Sequence, residues 1–126
     1  MRADLDAQLC TKYSSIFEDR NASMRDTCMC WGFEVGDGWY TLIDSLCGSI
    51  QWAVEKNDHY PVMATQVKEK FGALRFYYSG GDDYIDGLID MAEKMSTSIC
   101  EKCGNPGKVT GTGWLKTLCP ECEETA

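Results

Sequence analysis

The chain has 126 residues, 44% hydrophobic and 25% charged, the balance of one globular domain and not of a disordered tail. A net charge of −8 opposes nonspecific attachment to nucleic acid, which needs a basic surface. No run approaches the ~20 apolar residues that cross a bilayer, and Met1-Arg2-Ala3-Asp4-Leu5-Asp6 has no apolar secretory core, so a cytoplasmic location with reduced thiols is expected.

In chain order, Leu5, Leu9, Tyr13, Ile16 and Phe17 recur at helical spacing and predict an amphipathic helix over residues 5–17. Residues 18–21 read as a polar loop. Residues 28–38 mix cysteine, aromatic and glycine residues, which predicts extended or irregular backbone ending in a turn. Asp37 is the expected N-cap of a second helix running to about Lys56, with Trp39, Leu42, Ile43, Leu46, Ile50 and Ala53 on its buried side. Pro61 and the polar residues before it stop that helix. Two β-prone runs within residues 62–80 flank Gly72-Ala73 and predict a hairpin. After Gly80-Gly81, Asp82 or Asp83 is the expected cap of a third helix ending near Ser98, with an apolar stripe of Tyr84, Ile85, Leu88, Ile89, Ala92 and Met95. The fold class is α+β: a small hairpin or sheet packed by two or three helices in residues 1–98, with a zinc-ribbon-like knuckle in residues 99–126 packed on that core.

Eight cysteines in a reduced compartment need a reason other than disulfides. Cys100-x2-Cys103-x15-Cys119-x2-Cys122 has the spacing of a four-thiolate zinc site. Each Cys-x-x-Cys turn aims two sulfurs at one point, and two such turns complete a tetrahedron. Pro106-Gly107 bends the chain after the first pair, and Pro120 presets the second turn. Residues 108–110 and 114–118 can pair as short strands between them. Four protein ligands leave no open position for water, so one structural Zn2+ is expected and no catalytic metal. A redox reading fails on context, because neither pair lies between a strand and a helix.

The remaining candidates are weaker. Cys28 and Cys30, with Cys10 or Cys47, could form a second metal site, but Cys-x-Cys is uncommon for zinc and buried cysteine packs as a small hydrophobe. His59 sits alone in a polar loop. Asp82, Asp83, Asp86 and Asp90 fit a helix start and an exposed helix face. No nucleophile–base set, phosphate loop or dinucleotide fingerprint appears, so the chain reads as non-enzymatic. The period of two places Lys68 and Lys70 on one strand face, and Arg75 belongs to the same locally basic stretch. Tyr77 and Tyr78 point oppositely, so one of them is open to solvent. Exposed aromatics beside cations make a platform for a base or a partner side chain. Lys68, Lys70, Arg75, Tyr77, Trp114 and Lys116 are therefore the candidate contact residues.

Cys28-Met29-Cys30-Trp31-Gly32-Phe33-Glu34 with Gly36-Asp37-Gly38-Trp39-Tyr40, then Gln66-Val67-Lys68-Glu69-Lys70-Phe71-Gly72-Ala73-Leu74-Arg75-Phe76-Tyr77, resembles a family of small proteins of tailed phages and bacteria. Ile99-Cys100-Glu101-Lys102-Cys103-Gly104 and Gly113-Trp114-Leu115-Lys116-Thr117-Leu118-Cys119 complete the resemblance, which spans residues 24–122. Family members carry a further cysteine where this chain has Val35. The resemblance implies a phage or prophage accessory protein acting in the host cytoplasm, and it supplies no activity. Together these readings point to a zinc-stabilised binder of a host protein or of an anionic, nucleotide-like signal, as in counter-defence, with homo-oligomers left open. The rivals are a nucleic-acid-binding ribbon using Lys102, Lys108 and Lys116, and a magnesium-dependent hydrolase using Asp82, Asp83 and Asp86.

Overall fold

The computed structural model describes residues 1–25 and 27–125. Its order is α1 (Ala3–Lys12), two single-turn 3-10 helices (Glu18–Asn21 and Cys28–Trp31), β1 (Phe33–Glu34), a third 3-10 turn (Asp37–Trp39), α2 (Tyr40–Lys56), β2 (Val62–Lys70), β3 (Ala73–Gly80) and α3 (Asp83–Ser96). The knuckle follows with β4 (Lys108–Thr110), β5 (Lys116–Leu118) and α4 (Pro120–Glu124). The α+β class and the hairpin around Gly72 match the sequence reading. No helix among the described residues is long and apolar enough to cross a membrane.

β2 and β3 form the hairpin, with β1 parallel to β2 on the other side. The period of two sends Val67, Leu74 and Phe76 inward and sets Lys68 opposite Arg75 and Gln66 opposite Tyr77 on the other face. The inward residues meet Leu42, Ile43, Leu46 and Ile50 of α2 and Ile85 and Ile89 of α3, with Phe17 packed edge-on to Phe33 at 4.9 Å.

Helix boundaries and faces differ from expectation at the end of α1, the start of α2 and the face of α3. α1 ends at Lys12, since Tyr13 leaves the helical conformation (φ −125°, ψ 50°) and its hydroxyl donates to the Asp44 carboxylate at 2.6 Å. Asp37 does not cap α2; its Oδ1 instead accepts the Arg2 N–H at 2.7 Å, and a 3-10 turn leads into the helix. Asp82 does cap α3, accepting the Ile85 N–H at 3.1 Å. On α3, Tyr84 and Met95, expected in the core, are each 47% exposed, whereas Ser96 is fully buried.

That burial has a use. β3 is an edge strand, and α3 side chains take its outward N–H groups: Ser96 Oγ accepts from Leu74 at 2.9 Å and Glu93 Oε2 from Phe76 at 2.8 Å. The edge is thereby closed to another strand.

Candidate metal centre and hairpin tip

The two Cys-x-x-Cys turns converge. The sulfurs of Cys100, Cys103, Cys119 and Cys122 all lie within 4.8 Å of one another, and they are the only such donor group among the described residues. Cys103 Sγ is 3.5 Å from Cys119 Sγ, far beyond the roughly 2.05 Å of a disulfide. A tetrahedron of sulfurs about 2.3 Å from a central ion has edges of about 3.8 Å, so this set fits one metal ion.

Local backbone supports that role. Pro120 occupies the first turn of α4, where its missing N–H costs nothing, and Cys119 precedes it at the cap. Burial opposes ionisation of Cys100, but the N–H groups of Cys119, Cys103 and Lys102 aimed at its sulfur outweigh this and pull its thiol down to about 6. The Cys122 thiol is pushed up to about 12 by its contacts with the Cys119 and Cys103 sulfurs. Four sulfurs this close resist joint ionisation unless a cation sits among them.

The knuckle has almost no apolar core, only Cys100, Leu118 and Cys119 with Cys122 beside them. It is held to the helices and hairpin mainly by polar contacts. Gly38 N–H donates to the Glu101 carbonyl at 2.7 Å, Gly36 N–H to Glu101 Oε2 at 2.9 Å, and Trp39 Nε1–H to the Ile99 carbonyl at 2.8 Å. A Cβ on Gly38 would stand 2.1 Å from the Cys100 carbonyl oxygen, and one on Gly36 2.3 Å from that of Glu101. The two glycines flanking Asp37 are thus a seat for the first cysteine turn, a role their sequence context did not reveal. On the other side, Thr117 Oγ1 donates to the Gly72 carbonyl at 2.6 Å, locking β5 onto the hairpin turn.

Lys116 lies inside this junction, 3.2 Å from Glu69 Oε1 and 3.7 Å from Glu101 Oε1. Its charge is therefore engaged by two carboxylates of the fold. The other candidate contacts divide into two groups. Lys68, Lys70, Arg75 and Tyr77 share the open face of the hairpin, Tyr77 exposed and Tyr78 half-buried with its hydroxyl on Asp86. Trp114 is 78% exposed and lines a cleft of about 190 Å³ with Glu69, Phe71, Gly113 and Leu115.

Phe71 is the residue the sequence reading missed. It has φ +55° and Gly72 has φ +82°, making a two-residue hairpin turn with both centres left-handed. Such a turn favours Asn-Gly, and a side chain with a Cβ costs about 1–2 kcal/mol there. Yet Phe71 is 64% exposed, with Lys70 Nζ 5.6 Å above its ring. An aromatic at the first centre of a tight turn was the available signal.

Among the described residues the other cysteines and acids form no further donor group. Cys10 and Cys30 bond locally to Asp6 and the Thr27 carbonyl, Cys47 is buried beside the core of α2, and Cys28 is exposed. His59 lies in the loop after α2 but is not alone there, because its Nδ1 lies 2.9 Å from Asp82 Oδ2 and its ring stacks on Tyr84 at 4.5 Å. That carboxylate also takes the Tyr60 N–H, so it clamps the end of α2 to the start of α3.

Fold and site together define an α+β protein with a four-cysteine centre fit for one metal ion. Comparison with family models, curated proteins and solved structures finds no match to this chain.

Proposed function

We propose that this chain is a zinc-stabilised, non-enzymatic binding protein that takes its ligand on the hairpin, with the Phe71–Trp114 cleft at its tip and the cations of its open face as contact surfaces. The observation that carries this is Phe71, kept in a costly backbone conformation with its ring held out to solvent. Strain unrecovered by packing is a common mark of a functional position. Lys68 stands directly across from Arg75, and like charges so placed cost stability until an anion lies between them, although Glu34 registers with Lys68 on its other side. Lys70, on the cationic face and with its Nζ 5.6 Å above the Phe71 ring, links the two surfaces, which together suit a ligand that joins a flat or apolar group to an anionic one.

Nucleotides and acidic protein segments share that chemistry. The phage-type resemblance favours a host factor or a nucleotide signal as the captured species, with counter-defence as the corresponding role. Zinc is the ion we assign to the centre, since an all-thiolate tetrahedral set closes its coordination. The ribbon reading for nucleic acid loses Lys116 to Glu69 and Glu101.

The test is titration calorimetry of the metal-loaded chain with ATP and, separately, with an Asp/Glu-rich peptide. One of these probes should bind, and either Phe71→Gly or Lys68→Ala/Arg75→Ala should weaken it at least about tenfold. Binding of neither probe, or binding indifferent to both variants, overturns this assignment.

A further inference from the structure

A second surface lies away from the hairpin tip. α2 and α3 run antiparallel, tied at one end by Trp39 to Ile99 and at the other by His59 to Asp82. On α2, Thr41, Ser45, Ser49 and Trp52 recur at four- and three-residue steps and form one exposed stripe. On α3, Tyr84, Leu88, Met91 and Met95 recur at the same steps, exposed except for the half-buried Leu88. Between them is a groove of about 150 Å³ lined by Leu42, Leu46, Leu88, Met91, Ala92 and Met95, with Ser45 and Ser49 on its rim.

No charged residue belongs to either stripe in a chain of net charge −8. Met91 is 64% exposed, Trp52 56%, and Tyr84 and Met95 47% each. On side chains of roughly 200 Å² these fractions leave on the order of 400 Å² of mainly apolar surface from four residues alone. Two such faces meeting would bury on the order of 1,000 Å² once the intervening Leu88, Thr41 and serines are added, the lower bound for a specific association and the size of a weak dimer.

The shape chooses the occupant. Thr41, Ser45 and Ser49 make a row of small side chains on α2 beside Leu88, Met91 and Met95 of α3, and Trp52 of α2 lies with Tyr84 of α3 at the end clamped by His59 and Asp82. A two-fold axis parallel to the helices carries α2 of one copy over α3 of the other, so Leu88, Met91 and Met95 enter the partner's row of Thr41, Ser45 and Ser49 while Trp52 stacks over the partner copy's Tyr84 position. Ser45 borders the groove beside Met91, so that axis brings Ser45 of one copy over Met91 of the other. We infer that this face is the interface of a homodimer, a symmetric four-helix packing of α2 and α3 with their counterparts in a second copy. The like charge of the two copies opposes the association while the face itself contributes none, so added salt tightens it.

Sedimentation equilibrium of the metal-loaded full chain from micromolar to millimolar concentration tests this. The wild type should reach the dimer mass, with a dissociation constant that falls as salt is raised. Ser45→Glu, Met91→Lys and Met95→Lys, all at exposed positions, should each weaken dimerisation at least about tenfold. Their melting temperatures at concentrations where every chain is monomeric should match the wild type. The Ser45→Glu/Met91→Lys double variant should recover dimerisation, because each new acid faces a new cation across the axis. A wild type that stays monomeric throughout, a dimer that survives all three single changes, or a double variant no better than the singles overturns the inference.

Discussion

Replacing Gly38 by alanine should detach the knuckle from its seat. Gly38 does not have a positive φ, so alanine is allowed there by its own backbone and only the space forbids it. The added Cβ would meet the Cys100 carbonyl oxygen at 2.1 Å and the Gly104 nitrogen at 2.6 Å. Relief to a contact of about 3.5 Å moves the cysteine turn by more than about 1 Å. The 2.7 Å bond from Gly38 to Glu101 and the 2.8 Å bond from Trp39 to Ile99 then stretch past useful length. Two such bonds at about 1 kcal/mol each, with a backbone displacement of about 1–3 kcal/mol, give a loss of about 4 kcal/mol. For a chain of this size that lowers the melting temperature by roughly 10–20 °C. Gly87→Ala is the matched control: it lies within α3, a Cβ added there meets nothing inside 4 Å, and the change should stabilise by about 0.5–1 kcal/mol. Thermal melts of both variants with excess zinc, read by circular dichroism, decide the matter. A Gly38→Ala melt within a degree or two of wild type would refute the seat.

Phe71→Gly should stabilise the fold by about 1 kcal/mol of relieved strain, a rise of a few degrees in melting temperature, while weakening ligand binding; a fall in stability would show that the fold needs that ring. Thr117→Val keeps the volume but strands the buried Gly72 carbonyl, and should cost about 1–3 kcal/mol in urea unfolding. Acid should weaken the Asp82 clamp. Burial opposes ionisation of that carboxyl, but the Ile85 and Tyr60 N–H groups and His59 overcome it and hold its pKa below the usual range. A depressed folded-state pKa adds stability above the unfolded value of about 3.9 and loses it as pH falls through the folded value. Urea midpoints at neutral pH and well below that value should therefore fall less for Asp82→Ala than for wild type, and equal falls would remove Asp82 from the explanation.

What the sequence made legible was what depends on neighbours in the chain. Two Cys-x-x-Cys turns, the paired β-prone runs about Gly72 and the Asp82 cap are local patterns with local causes. The misreadings came from contacts between distant segments. Asp37 looked like a cap because nothing nearby competes for it, yet Arg2 takes its carboxylate. Gly36 and Gly38 looked like turn residues, but they make room for a peptide more than sixty residues away. Tyr84 and Met95 fit the apolar period of α3 and still face outward, while Ser96, polar by type, is drawn inside by the edge of β3. Lys116 reads as a free cation until the fold places two carboxylates beside it.

The most direct measurement is the metal content of the reduced full chain by native mass spectrometry, paired with thiol alkylation before and after chelation. A closed centre on Cys100, Cys103, Cys119 and Cys122 predicts one zinc per chain, with those four thiols protected until the metal is removed. A metal-free chain whose four C-terminal thiols react at once would contradict it.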